Sequence, residues 1–389
     1  MARPKKKTKK IAEMDPSPLN PISEEDVDSL RQDIQSFKLL RTLHVPDYAG
    51  EMVVTRDDQY LISPHRNNFK VWNLRTGELL HTVEEGPEGS RRGVVLSRDE
   101  KTLYVAGGSE IYSWDFPSLK LRHKSGKSPA EKYVSKVRPH FGDGPLDHED
   151  EMCKEGMITS AVLDPYRQRL HVGRNGYGAM SYWDLTTHEW SSSNSFHGAG
   201  GGLRMTNLLT TRNNEILVGQ YKQSRYRVWQ LCPAQRDLDS FDKDYPILLH
   251  CIGQDDIERK SQSKSKSKLV DYWTTSNDGQ VLYLAYFGGD YGNADIEQWK
   301  IDGFESLGLM QGNEPGIHAM TISPDGKILA TGNEKGDVRL WEPSTRTELF
   351  NAQLGAWIVD LKFSADSRLL VASVYDNTIQ FWGRPGALD

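Results

Sequence analysis

Short apolar and β-branched runs alternate with polar turns along most of this chain, and the order of runs and turns keeps repeating. The clearest copy reads 319–323, a Pro324-Asp325-Gly326 turn, 327–331, a polar loop, 338–341, a second turn and 347–351. Apolar runs cut by Asp, Gly and Asn turns are hairpin signals, so each copy predicts four antiparallel strands. The following copy predicts strands over 359–363, 368–373 and 378–382. Ahead of the first copy the period changes from two to that of a helix. Ser23 followed by Asp26 resembles an N-cap, and Val27, Leu30 and Ile34 share one face, which predicts a short amphipathic helix over residues 22–36 docked on the side of the domain.

Seven tryptophans count the copies: Trp72, Trp114, Trp183, Trp229, Trp299, Trp341 and Trp382. They follow the turns that begin at Asp57, Asp99, Tyr166, Asn213, Asp278, Asp325 and Asp366 by 15, 15, 17, 16, 21, 16 and 16 residues. A period of about 40 residues means stacked copies of one supersecondary unit. No copy can hide its apolar faces alone, so residues 37–389 are expected to form one domain.

Two spacings between tryptophans, 69 and 70 residues against 41 to 46 elsewhere, place insertions near 123–155 and 233–268. The second ends in the alternating Ser/Lys run 261–268, read as a solvated mobile loop in which phosphorylation would replace positive charge with negative.

Only seven residues follow Trp382, too few for a fourth strand. The run Lys38-Leu39-Leu40-Arg41-Thr42-Leu43 matches Glu78-Leu79-Leu80-His81-Thr82-Val83, which lies where a fourth strand belongs. The amino-terminal run is therefore expected to complete the last copy and close a ring, removing two sheet edges that would otherwise invite aggregation.

These copies resemble WD40 repeats over about residues 37–383. The resemblance rests above all on Ile322-Ser323-Pro324-Asp325-Gly326 with Val338-Arg339-Leu340-Trp341, and on Phe363-Ser364-Ala365-Asp366 with Asp376-Asn377-Thr378-Ile379-Gln380-Phe381-Trp382. The resemblance implies an all-β fold, a seven-bladed β-propeller of four-stranded antiparallel blades. It also implies a buried His, Ser/Thr, Asp and Trp network in each blade. Only the last copy keeps the Asp, as Asp376, with Leu354 at the His position, while Arg66, Gly108, Tyr177, Gln223, Asn293 and Lys335 stand at the Asp position elsewhere. An apolar-packed, divergent propeller is expected, each Trp filling space between blades with its indole nitrogen on a local acceptor.

Charge and cysteine content narrow the setting. The formal charge is −6, yet Arg3, Lys5, Lys6, Lys7, Lys9 and Lys10 put six basic groups into the first ten residues, so the rest sums to −12. That sign disfavours direct nucleic-acid binding by the body. Residues 1–21 are read as a basic, disordered tail, and Lys5, Lys6, Lys7, Lys9 and Lys10 as a candidate nuclear import signal. No apolar run suggests a membrane span or a secretory leader. Three cysteines, Cys153, Cys232 and Cys251, cannot all pair, and reduced thiols in nucleus or cytoplasm are the simplest reading.

No phosphate loop, metal motif or catalytic constellation is present in the sequence, so no enzyme activity, cofactor or metal is expected. The loops assigned to one rim hold His65, Arg66, Arg174, Tyr177, Tyr221, Arg225, Tyr291 and Tyr375, with Trp357 at the entrance to the last copy. Aromatics with arginine suit protein recognition, so this rim is the candidate protein-binding surface. The expected function is a non-enzymatic scaffold for other proteins in a nuclear or cytosolic complex, its oligomeric state open. The alternatives are an enzyme or small-ligand binder using the channel, and a substrate receptor of a cullin-type ubiquitin ligase. The latter rests on Trp72-Asn73-Leu74-Arg75, similar to the Trp-Asp-x-Arg element of some WD40 proteins.

Overall fold

The turns flagged in the sequence set the strand lengths. Thr55, Ser97, Ser276, Ser323 and Ser364 each donate a hydroxyl hydrogen bond to the aspartate two residues on, at 2.5–2.7 Å. Each hydroxyl also accepts from the backbone N–H five residues on, at 2.9–3.0 Å. Between them the chain turns through one residue of positive φ: Asp58, Glu100, Gly279, Gly326 or Ser367. A side chain that satisfies the turn from both sides fixes where one strand stops and the next begins.

The computed structural model describes residues 23–389 except 67, 88, 90–92, 128–157, 175–180, 192–204, 212–213, 222–225, 232–246, 253–256, 258–259, 264–269, 287–293 and 314–315. Seven antiparallel sheets follow in chain order as blades one to seven. Their innermost strands are Val53–Val54, Val94–Leu96, Ile158–Asp164, Met205–Thr210, Val270–Thr275, Ile317–Ile322 and Ile358–Phe363. Among the described residues six blades have four strands and blade three has three, with an isolated Trp183–Trp190 bridge where the fourth would lie. The innermost strand of blade one touches those of both blade two and blade seven, so the array is a closed ring.

Closure follows the expected route. The strand Lys38–His44 is the outer strand of blade seven, paired antiparallel with Thr378–Gly383, with Leu39 opposite Trp382, Arg41 opposite Phe381 and a bulge at Leu40. Side chains reinforce the seam. Asp58 Oδ1 and Oδ2 accept from the N–H groups of Ala365 and Asp366 at 2.6 and 3.0 Å. Asp360 Oδ2 accepts from Met52 N–H at 2.6 Å, and Ser373 Oγ donates to Ala49 O at 2.6 Å. Arg75 spans the same seam, bonding to Asp366, Asp58 and the Ala387 carbonyl.

The tryptophans pack each blade onto the one before it. Trp72 lies with Leu369 and Val371 of blade seven, Trp114 with Ile62 and Phe69 of blade one, and Trp341 with Val281 and Tyr283 of blade five. Trp382 is only partly buried, against Phe350. The helix Glu24–Gln35 begins at Ser23, whose Oγ accepts from Asp26 N–H at 3.1 Å. Its Leu30 and Ile34, with Phe37 after it, bury against Leu349, Phe350 and Ala352 on the outer strand of blade six. The docking face and its partner are both apolar, as the helical spacing requires.

Three expectations need correction. The buried polar network is not lost throughout: in blade one Trp72 Nε1 donates to Ser63 Oγ at 2.8 Å, and Ser63 meets His65 Nε2 at 3.1 Å. His65 Nδ1 lies 2.9 Å from the Asp47 carbonyl and 3.2 Å from its carboxylate. The His comes from the loop expected to supply an acid and the acid from the loop expected to supply a His, so a search by position misses them. Asp376 instead caps its own turn through Thr378, and Trp382 Nε1 bonds to Gln380. Nor does every indole find an acceptor; Trp183 Nε1 has none among the described residues. Finally, the second insertion is partly structural. Ile247–Ile252 is the outer strand of blade four. The Ser/Lys run also starts docked, with Ser261 on Glu297 at 2.7 Å and Ser263 on Asp295 at 2.6 Å. Residues 264–268 of that run, the tail 1–21 and most of the first insertion lie outside the described residues.

Candidate functional site

Ring closure brings three loops together on one rim: residues 45–52 leading into blade one, 354–357 leading into blade seven, and 375–377 within blade seven. Backbone bonds lock them. Tyr375 N–H donates to Trp357 O at 2.8 Å, Val45 N–H to Asn377 O at 2.9 Å, and Leu354 N–H to Gly336 O at 2.8 Å. At Gly336, φ is +87° and a Cβ would sit 2.8 Å from the backbone of Ala356. Only glycine lets the loop that carries Trp357 pass so close.

The locked loops hold a run of rings. Tyr48 lies 4.6 Å from Tyr375 at 33°, Trp357 lies 5.5 Å from Tyr375 at 21°, and His318 lies 4.7 Å from Trp357 at 46°. Trp357 and Tyr375 remain 39% and 51% exposed. Side chains of that size are normally largely buried, so their exposure in one contiguous stack across blades six, seven and one makes this the candidate surface. His318 also approaches Glu334 at 3.9 Å.

The structure brings together Trp357 and Tyr375 of the residues singled out in the sequence. Arg66 is exposed on the adjoining loop, its N–H donating to Asp47 at 3.2 Å. His65 and Arg174 are fully buried, which corrects their placement on an open rim. His65 belongs to the Trp72 network, and Arg174 donates to Ser181 and lies over the Trp190 ring at 5.4 Å. Tyr221 ends the strand Ile216–Tyr221 opposite Met205. Tyr177, Arg225, Tyr291 and Lys5, Lys6, Lys7, Lys9 and Lys10 lie outside the described residues. Sequence reasoning missed Tyr48 and His318. Tyr48 follows the run that was expected to close the ring, so closure itself placed it beside Tyr375.

The centre of the ring encloses a cavity of about 420 Å³ to which all seven blades contribute. Its ionisable lining groups are Glu51, Arg56, Arg98, Glu100 and Lys362, and two of the cations, Arg56 and Lys362, are paired. Arg56 N–H donates to both carboxylate oxygens of Glu100, at 3.1 and 3.2 Å, and the Arg56 guanidinium lies 3.9 Å from Glu100. Lys362 Nζ lies 3.1 Å from Asp360 Oδ1. Burial pushes the Asp360 carboxyl up to about 6 despite that ammonium, with Glu51 adding to the rise. Burial also opposes charge on Lys362, but Asp360 and Glu51 hold its pKa above the ordinary value. Asp360 is buried, while Lys362 keeps a third of its side chain open. Among the described residues no group of three His, Cys, Asp or Glu side chains could hold a metal ion, and no helix is long and apolar enough to cross a membrane.

The element Trp72-Asn73-Leu74-Arg75 is engaged within the fold. Asn73 Oδ1 accepts from Arg75 N–H and Thr76 N–H at 3.0 and 2.9 Å, and the Arg75 guanidinium is held by the seam.

The WD40 family model, described as WD domain, G-beta repeat, matches residues 304–342 and 346–383. Each matched stretch begins at the outer strand of one blade and ends with the third strand of the next, the one-strand offset that ring closure requires. Protein LST8 homolog of Drosophila melanogaster is 29% identical over 235 residues, covering 58% of this chain and 66% of that protein. Human apoptotic protease-activating factor 1 is 28% identical over 251 residues, covering 59% of this chain and 19% of that protein. A subunit of chromatin assembly factor 1 from Schizosaccharomyces pombe is 24% identical over 133 residues, covering 28% of this chain and 26% of that protein. The chain spans less than two-thirds of the length of each of these relatives.

Proposed function

We propose that this WD40-repeat propeller is a non-enzymatic platform for protein–protein contacts, working in the nucleus or cytoplasm and binding through the rim that carries Trp357 and Tyr375. One observation carries the reading: two large aromatic side chains stay open to solvent on loops locked by backbone hydrogen bonds. Rigid aromatic anchors lose little conformational freedom on binding and dominate interface energetics. A relative named as a subunit of an assembly factor is in keeping with such a role. The channel supports the rival reading less well, because Arg56 pairs with Glu100 and Lys362 with Asp360, which leaves Glu51 and Arg98 as its other ionisable lining groups.

Affinity purification from native lysate, with the wild type beside Lys362→Ala, tests this. A stoichiometric protein partner recovered equally with both is expected. Recovery of no protein partner, or loss of the partner in the channel variant alone, contradicts it.

A further inference from the structure

We infer that the rim stack receives an arginine side chain from a basic segment of the partner, the guanidinium lying on the open ring faces of Trp357 and Tyr375. The inference rests on the rim being the binding surface, as proposed above, and adds the chemistry of what it binds.

Two independent features point to a cation. The first is ring geometry. Trp357 and Tyr375 are within 21° of parallel, yet their centroids are 5.5 Å apart. That separation lies in the range of offset stacking, and although Tyr48 and His318 flank the pair, 39% of Trp357 and 51% of Tyr375 stay open to solvent. The face of an aromatic ring is its electron-rich side and attracts cations. The second is charge. The loops 45–52, 354–357 and 375–377 contain Asp47, Glu51 and Asp376 and no lysine or arginine. Asp376, next to Tyr375, is exposed, and its Oδ1 turns inward to Thr378. Beyond these loops, Glu334 lies at the His318 end of the stack.

Several ligand classes are disfavoured by the same arrangement. A phosphate backbone or acidic peptide meets Asp47 and Asp376 with no cation on the loops that carry the rings, Glu51 lining the channel and Arg66 and Lys335 lying on the adjoining loops. An ammonium gains from the carboxylates but cannot stack. A guanidinium is planar, weakly hydrated and able to lie flat on a ring while donating sideways to a carboxylate. Offset rings flanked by acids suit that shape.

The test uses the full chain and a blocked heptapeptide, acetyl-Gly-Lys-Ala-Arg-Ala-Lys-Gly-amide, titrated by calorimetry at low and moderate salt. Companion peptides carry Lys, Leu or Glu in place of the Arg. The Arg peptide should bind, the Lys peptide roughly threefold to tenfold more weakly, and the Leu and Glu peptides not measurably. Trp357→Ala and Tyr375→Ala should each weaken the Arg peptide roughly tenfold, and Asp376→Asn should weaken it less while flattening the salt dependence. Two aromatic variants, with thermal melts alongside, keep the test valid if one fails to fold. Equal binding of Leu and Arg peptides shows an apolar docking surface and overturns the inference, as does Arg binding unaffected by both aromatic variants, or no binding of any peptide. If these fail while Trp357→Ala still sheds the native partner, the arginine assignment falls and the rim stands. If the native partner ignores Trp357, the rim itself falls.

Discussion

Leu39 lies opposite Trp382, in the register that binds the chain's first strand to its last. A contact across more than 340 residues turns seven sheets into a ring, and it brings Tyr48 to Tyr375 and Asp47 to His65. Closure and the candidate surface are thus one structural event.

Truncation separates the helix from the closing strand. Removing residues 1–36 uncovers Phe350 and Ala352 but keeps the ring, so a modest loss of thermal stability is expected. Removing residues 1–44 also exposes the edge of Thr378–Gly383, and unpaired edges associate. The longer truncation should lose its cooperative melt and self-associate in light scattering. Identical melts for the two truncations contradict the closure described here.

Blade one should feel the loss of a hydroxyl more than blade six. Ser63→Ala leaves both Trp72 Nε1 and His65 Nε2 without the Ser63 hydroxyl, at a cost of about 1–3 kcal/mol. Thr331→Val removes one 3.2 Å acceptor from Trp341 and should cost about 1 kcal/mol. Urea unfolding of the two variants gives the comparison; equal losses would show that the His65 network adds nothing.

Asp360 gives the seam a pH signature. Its carboxyl is pushed from 3.8 to about 6, chiefly by burial. Between those values the folded protein keeps a proton that the unfolded chain releases, so this group lowers stability as pH rises from about 4 to 6. The full effect, roughly 3 kcal/mol, is present above pH 6 and relieved below pH 4. Asp360→Asn keeps an acceptor for Met52 N–H but cannot ionise. Its stability relative to wild type should therefore climb by up to that amount between pH 4 and 7, read by urea unfolding at each pH. A gap that does not change with pH contradicts the assignment.

Strands, blade count and closure were legible because local chemistry sets them. A Ser or Thr two residues before an Asp makes the turn, and one Trp per copy fills the space against the preceding blade. The outer strand of blade four was obscured by the long insertion, although Leu248-Leu249-His250 echoes Leu79-Leu80-His81. The polar network of blade one was not legible, because His65 and Asp47 exchange the loops that a position-by-position comparison assigns them. The candidate rim was legible in part. Trp357 and Tyr375 stand out as aromatics on inter-strand loops, whereas the burial of His65 and Arg174 depends on neighbours distant in sequence.

The most direct measurement is paired stability and partner binding of Trp357→Ala. A ring that keeps 39% of its surface open contributes less to folding than a core tryptophan, whose loss costs about 3–5 kcal/mol. The account predicts a melt close to wild type together with loss of the native partner. A partner retained at full strength, or a fold that collapses with the ring, contradicts it.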